Sequence, residues 1–305
     1  MTNCKLYNID CAEGLKRLKD ASVDIVVTSP PYDNLRTYNG FRFDFETIAN
    51  ELYRVVKQGG VIVWIVSDGV ENGSETGTSF RQALYFKDIG FNLHDTMIWK
   101  KESCAFPEET RYYPNFEYMF VFSKGKPKSI HLIEDRKNLW GGTKVHGTFR
   151  EADGQLKGRS ATWKETVCKD YGVRFNVWEI SSEKNNKTGH PAVFPRKIAR
   201  DHIISWSDRG DVVLDPFSGS GTTAIEALNN GREFIGFEIS KEYYEKSIQR
   251  IRNETAQMSI FDIADCKTEP TGYNLSPVED EPQTDYERGY QDGIKDEIDK
   301  HHIGR

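Results

Sequence analysis

The stretch from Asp211 to Glu238 constrains this chain more than any other. An apolar run, Asp211 to Asp215, leads into Pro216-Phe217-Ser218-Gly219-Ser220-Gly221-Thr222-Thr223-Ala224, and a helical stretch from Gly221 to Asn229 precedes a second apolar run, Glu233 to Glu238. Closely spaced glycines between a strand and a helix let backbone come near a ligand, because no Cβ intervenes. Gly219, Gly221 and Ala224 fit the G-x-G-x-x-A form of the dinucleotide fingerprint, and Glu238 follows Gly219 by 19 residues, at the end of the next strand. An acid there can accept both hydroxyls of a ribose. The pattern suits a nicotinamide, a flavin or an S-adenosylmethionine nucleoside equally, whereas a P-loop lacks its lysine here.

The rest of the chain supplies the alternation that such a unit needs. Strands are predicted over Lys5 to Asp10, Asp24 to Ser29, Val61 to Ser67, Leu93 to Lys101 and Phe116 to Ser123, the last two as an antiparallel hairpin. Helices are predicted over Ala12 to Lys19, Phe45 to Lys57, Phe80 to Lys87, Pro195 to Trp206 and Lys241 to about Ala256, with Gln58-Gly59-Gly60 capping the second. Five strands precede residue 125 and two follow residue 189, which indicates an α/β fold with a largely parallel sheet. The longest apolar run, Val61 to Val66, is too short to cross a bilayer, no leader opens the chain, and five scattered cysteines form neither a disulfide framework nor a zinc spacing. A soluble, cytoplasmic protein without a metal site is expected.

A formal charge of −6 argues against a nucleic-acid partner until its distribution is examined. Asp262 to Arg305 holds 12 acids and 5 bases, while Lys124 to Arg200 holds 17 Lys or Arg against 8 Asp or Glu. Between Gly125 and Asn186 the basic residues are interleaved with Trp140, Phe149, Trp163, Tyr171, Phe175 and Trp178. The organisation expected is therefore residues 1–124 as one half of a domain, 125–188 as an inserted module, 189–261 as the other half and 262–305 as an acidic linker and tail.

A second turn also carries chemistry. Thr28-Ser29-Pro30-Pro31-Tyr32 ends an apolar strand, and two prolines stiffen the backbone beyond it. The Ser29 side chain and the Pro30 carbonyl can then serve as two fixed acceptors for both hydrogens of an amino group, with Tyr32 offering a flat face to a base. The plainer role of Pro30 and Pro31 is to end the strand.

Ser-Pro-Pro-Tyr followed by Asp-Pro-Phe-Ser-Gly-Ser-Gly-Thr-Thr resembles the amino-DNA methyltransferases in their permuted, β-class order. The similarity extends to Asn8-Ile-Asp10-Cys-Ala-Glu-Gly-Leu, Met97-Ile-Trp-Lys-Lys101, Asn115-Phe-Glu-Tyr-Met-Phe-Val-Phe-Ser-Lys124 and Gly189-His-Pro-Ala-Val-Phe-Pro195. The resemblance implies a Rossmann-like S-adenosylmethionine-dependent methyltransferase fold, circularly permuted, with seven strands ordered 3-2-1-4-5-7-6 and one of them antiparallel. In that order Asp211 to Asp215 is strand 1 beside Asp24 to Ser29 as strand 4, so both turns share one edge.

It further implies S-adenosyl-L-methionine as cofactor. Asp215, Pro216, Phe217, Gly219, Ser220, Gly221 and Thr222 would wrap its methionine part, Glu238 would hold the ribose, Asp10 the adenine amine, and Phe194 with Pro195 the methionine end. Asp10 is equally placed to cap the helix from Ala12, and Phe194 to lie in core. Ser29, Pro30, Pro31 and Tyr32 would be catalytic, DNA the partner, and residues 125–188 the target-recognition region. A cognate restriction endonuclease and a homodimer are compatible further partners in a bacterial, archaeal or phage-encoded system; no membrane is implied. Serine at 29 and His190-Pro-Ala-Val-Phe-Pro195 resemble the N4-cytosine group, with N6-adenine methylation the alternative. A nicotinamide-dependent oxidoreductase would leave Ser-Pro-Pro-Tyr and the basic segment unexplained, and a non-catalytic DNA-binding protein is a third reading that cofactor titration separates. No Pro-Cys occurs, so the nucleophile of a C5-cytosine enzyme is missing.

Overall fold

The apolar runs assemble into one mixed sheet. Its strands are β1 (Cys4–Tyr7), β2 (Val23–Thr28), β3 (Val56–Val66), β4 (Asn92–Lys100), β5 (Phe116–Ser123), β6 (Val177–Glu179), β7 (Val212–Asp215) and β8 (Glu233–Phe237). The computed structural model describes residues 3–31, 43–102, 110–144, 148–158, 166–181 and 195–255, all within the unit Met1–Glu269. Tyr32, Trp163, His190, Phe194 and the acidic tail lie outside the described residues.

The strand order is β1-β8-β7-β2-β3-β5-β4-β6. Neighbours run parallel except at β5, which is antiparallel to both β3 and β4. In permuted numbering the first seven follow the expected 3-2-1-4-5-7-6, and β7 lies beside β2 through Val213 opposite Ile25 and Leu214 opposite Val26.

Both faces of the sheet are covered, which is why its strands are apolar at successive positions. Ile25, Val27, Val61, Val63 and Ile65 face one cluster with Ile198, Ile203 and Ile225, from α4 (Arg196–Trp206) and α5 (Thr222–Asn229). Val26, Ile62, Trp64 and Val66 face the other, with Leu15 of α1 (Cys11–Lys16), Ile48 and Leu52 of α2 (Phe45–Val55) and Phe86 of α3 (Thr78–Asp88). The last helix, α6 (Lys241–Thr255), covers the first cluster with Ile251. Among the described residues no helix is long and apolar enough to cross a membrane.

Three expectations are corrected. The sheet has eight strands rather than seven, because Val177–Glu179, within the segment read as an insertion, pairs parallel with Ile98 to Lys100. Trp178, grouped with the basic segment's aromatics, is buried, and its ring stacks on His202 with centroids 4.5 Å apart. Trp99 Nε1 donates to the Ile180 carbonyl at 2.8 Å, so the end of that segment is part of the core.

Gln58-Gly59-Gly60 does not cap a helix. α2 ends at Val55, and these residues lie inside β3, where the register with β2 slips between Val23/Val56 and Ile25/Val61. The cap comes from elsewhere: the Lys124 ammonium donates to the carbonyls of Tyr53 (2.6 Å) and Val56 (3.1 Å) at the helix's carboxyl end. Finally, the strand expected to reach Asp10 stops at Tyr7, which leaves Asp10 to start α1.

Beyond the core, the basic segment contributes two small antiparallel pairs, Arg136–Lys137 with Tyr171–Gly172 and Thr148–Arg150 with Leu156–Gly158.

Candidate active site

The carboxyl ends of four adjacent strands, β1, β8, β7 and β2, are tied together by polar bonds. At the end of β7, Asp215 is fully buried and accepts from Thr28 Oγ1 at 2.6 Å and from the Phe217 amide at 3.1 Å. Burial pushes its carboxyl up to about 6. Thr28 is the last residue of β2, so this bond joins the strand bearing Ser29-Pro30-Pro31 to the strand bearing the glycine turn. Thr223 adds a second tie, donating to the Val27 carbonyl at 3.3 Å.

The turn itself depends on glycine. Gly219 and Gly221 have φ of 50° and 77°, the left-handed region that side chains disfavour. A Cβ at Gly221 would also stand 3.1 Å from the Ile251 side chain, which would have to shift by a few tenths of an ångström to keep α6 packed against the turn. Gly221 occupies the N-cap position of α5, leaving the helix's first amide groups directed at the turn.

Glu238, at the end of β8, closes the turn from the other side. One carboxylate oxygen accepts from the Gly219 amide at 2.9 Å and the other from the Ser240 amide at 2.8 Å. Burial raises its pKa, with Asp215 adding repulsion. Asn8, just past β1, donates to the carbonyls of Glu238 (2.8 Å) and Ile239 (3.0 Å), which brings the Asp10 segment beside this acid. Asp10 does cap α1: its Oδ1 accepts from the amides of Ala12 (2.9 Å) and Glu13 (3.3 Å).

The described site residues therefore fall on one edge. Asp10, Ser29, Pro30, Pro31, Asp215, Pro216, Phe217, Gly219, Ser220, Gly221, Thr222 and Glu238 all follow or begin at these four strand ends, and Pro195 precedes α4 as its N-cap. The Phe217 ring meets Phe43 edge-on with centroids 5.7 Å apart. Tyr32 and Phe194 lie outside the described residues.

An acid flanking a backbone-lined turn, a second acid on the neighbouring strand end and a helix N-terminus without a side-chain cap make a donor and acceptor set that fits a nucleoside carrying an amino acid. The Ser218 hydroxyl, buried in the same turn with no partner among the described residues, is a further polar group available to such a ligand.

Residues 23–249 match the family model described as DNA methylase, N6_N4_Mtase. The chain belongs to this family. As a member it is an S-adenosylmethionine-dependent DNA methyltransferase acting on cytosine N4 or adenine N6. Among its relatives is the orphan methyltransferase M.BamHII of Bacillus amyloliquefaciens, 52% identical over 86% of this chain and 98% of the relative. The type II methyltransferase M.SmaI of Serratia marcescens is 28% identical, over 82% of this chain and 91% of its own length.

Solved structures share the fold. The PvuII DNA methyltransferase, described as cytosine-N4-specific, matches with a TM-score of 0.59 at 22% identity, covering 83% of this chain and 92% of that one. A DNA modification methylase from Thermus thermophilus, complexed with S-adenosyl-L-methionine, matches with a TM-score of 0.56 at 21% identity, covering 83% and 96%.

Three residues of this DNA methylase that join the strand ends escape sequence reasoning. Thr28 is legible only as a polar residue closing an apolar strand. Asn8 belongs to a recognisable motif that attaches no role to it. Arg250, on α6, donates to the Ser220 carbonyl and to the Ser220 and Thr222 hydroxyls, and nothing in its local sequence marks it.

Proposed function

We propose that this methyltransferase modifies N4 of cytosine in duplex DNA, with Ser29 and the Pro30 carbonyl as acceptors for the two amine hydrogens. The amine nitrogen shares its lone pair with the ring and is a poor nucleophile until its hydrogens are drawn out of plane. Two acceptors on a proline-stiffened turn do this without a covalent enzyme intermediate, so positioning and charge stabilisation carry the acceleration. S-adenosylmethionine, when bound, supplies the electrophilic methyl on its sulfonium.

In this reading Glu238 accepts from the ribose hydroxyls through lone pairs not used by Gly219 and Ser240. Asp10 accepts from the adenine amine, and Gly219, Ser220, Gly221 and Thr222 with Pro195 and Phe194 surround the methionine part. Tyr32 stacks on the extruded base, returning roughly 1–3 kcal/mol of the few kcal/mol that extrusion costs. Residues 125–188 supply the surface that follows the DNA backbone and reads base edges.

The observation that supports the catalytic role of the Ser29 turn is the 2.6 Å bond between Thr28 and Asp215, which couples it to the glycine turn whichever base is modified. Serine at 29 favours cytosine over adenine. The orphan description of the relative at 52% identity favours action without a dedicated restriction endonuclease.

Purified protein is expected to transfer labelled methyl groups to DNA, and sequencing that separates N4-methylcytosine from N6-methyladenine identifies the base. Ser29→Ala and Tyr32→Ala should lower turnover by at least tenfold, about 1.4 kcal/mol of transition-state stabilisation, with little change in cofactor affinity. Full activity in both variants, or N6-methyladenine as the product, would overturn the assignment.

A further inference from the structure

The underside of the glycine turn is held by a charged cluster that the methyl-transfer mechanism does not use. Arg250 is 16% exposed, and its Nη1 donates to the Ser220 carbonyl (3.1 Å), Ser220 Oγ (3.1 Å) and Thr222 Oγ1 (3.0 Å). Its Nε donates to Glu254 Oε1 at 2.8 Å. The other Glu254 oxygen accepts from Arg196, whose Nε in turn donates to Glu226 Oε1 at 2.5 Å. The first residue of α4, which follows Pro195, is thus linked through α5 and α6 to the turn.

The chemistry of a guanidinium makes this contact directional. It has donors and no acceptors, so the two hydroxyl oxygens accept at Arg250 and their own protons point elsewhere. Ser220 Oγ and Thr222 Oγ1 are 3.3 Å apart, close enough for one to donate to the other. At most one of the two protons is used in that way. The second is left for a further acceptor, in a turn where both residues are more than nine-tenths buried. The two arginines and two glutamates of the cluster cancel in formal charge, so its influence lies in orienting these hydroxyls rather than in a long-range field.

We infer that Arg250 is a positioning residue that presents the Ser220 and Thr222 hydroxyls as donors to the α-carboxylate of the cofactor's amino-acid moiety. The inference rests on the reading that this turn surrounds the methionine part of S-adenosylmethionine. It predicts discrimination between ligands that share the adenosine and thioether but differ in the carboxylate.

Calorimetric titration of the full-length protein with S-adenosylhomocysteine and with 5′-methylthioadenosine, which lacks the amino-acid group, separates the possibilities. Arg250→Gln should lose about tenfold in affinity for S-adenosylhomocysteine, as expected for one charge-assisted contact, and keep its affinity for 5′-methylthioadenosine. KM for S-adenosylmethionine should rise while kcat stays within about twofold. Arg250→Lys, which keeps the charge but gives up the separate Nε bond to Glu254 that fixes the side chain, should show a smaller loss confined to S-adenosylhomocysteine, and it carries the test if the glutamine variant fails to fold.

Equal losses for both ligands would overturn the inference and make Arg250 a general support of the turn. Unchanged affinities would overturn it as well. Wild-type protein that binds both ligands equally would instead remove the underlying reading that the turn holds the methionine part.

Discussion

Asp215 and Glu238 show why acids at a cofactor site can be located in a sequence while their partners cannot. Each stands at a strand end beside a glycine turn, and spacing alone selects them. What holds Asp215 in place is Thr28, 187 residues away, a hydroxyl donor that the β2–β7 pairing brings within 2.6 Å. Asp10 is legible both as a helix cap and as an adenine acceptor; the cap is observed, and its two bonds fall on a single oxygen. Asp215 also sets a pH dependence. Its folded pKa of about 6 lies above the ordinary 3.8, so between those values the folded chain holds a proton that the unfolded chain has released. Stability from this group is therefore fully present below the ordinary value and lost as pH rises through the folded one, by about 3 kcal/mol. Asp215→Asn keeps an acceptor for Thr28 but does not titrate. Chemical denaturation at about pH 4 and about pH 7 should show the variant gaining on the wild type by that order between the two. A pH-independent difference would show that Asp215 ionises freely in the folded chain.

At the scale of elements, strand and helix identities are legible because apolar periodicity and proline or glycine punctuation agree, as in Val23–Thr28 before Pro30-Pro31. Gln58-Gly59-Gly60 misleads because glycine after an amphipathic helix is the ordinary sign of a cap, and a strand irregularity requires the same residue. Which one forms is decided by distant chain. Gly59 exchanges backbone bonds with Lys124 and Lys128, the Lys124 carbonyl accepting from Gly59 at 2.7 Å and the Gly59 carbonyl accepting from Lys128 at 2.9 Å. Asp24 lies beneath, accepting from Lys57 (2.7 Å), Lys128 (3.0 Å) and the Val212 amide (3.0 Å). Burial alone would raise the Asp24 pKa, but these donors outweigh it and hold the carboxyl below its ordinary value. A Cβ at Gly60 would approach the Asp24 carbonyl to 2.9 Å, with backbone on both sides unable to give way. Gly60→Ala should therefore destabilise the protein by about 2 kcal/mol, read as a lower urea midpoint with an unchanged slope. A midpoint equal to that of the wild type would mean that the irregular start of β3 can relax at little cost.

For the whole molecule, the sheet order and the convergence of two turns on one edge are readable from motif order, whereas the extent of the inserted module is not. Composition marks residues as basic without saying where their charge is used. Of the 17 basic residues from Lys124 to Arg200, Lys124 caps α2, Lys128 bridges Asp24 and Asp211, and Arg196 joins Glu226 to Glu254. Arg174 pairs with Asp135 and Asp201 and lies over the Trp178 ring, its guanidinium carbon 4.8 Å from the centroid. These side chains are committed to the fold, so the charge left for any polyanionic partner is smaller than the count suggests. The exposed arm is different. Leu139 and Trp140, 96% and 74% exposed, sit on a turn whose backbone is bonded to Asp170 and Cys168, with Lys137 and Lys144 exposed on either side. If this arm meets DNA, Lys137→Ala with Lys144→Ala should weaken binding uniformly across sequences and reduce the slope of log affinity against log salt by about 2, without lowering Tm. Arg174→Met should do the reverse, lowering Tm by a few degrees while the salt slope stays intact. Buried Asp201 then keeps Lys197 and Arg200 but loses its third basic partner, and the Trp178 ring loses the guanidinium over it. A lysine double variant with an unchanged slope would place the DNA surface elsewhere on the chain, and a changed slope in Arg174→Met would show that this arginine reaches phosphate as well as holding Trp178.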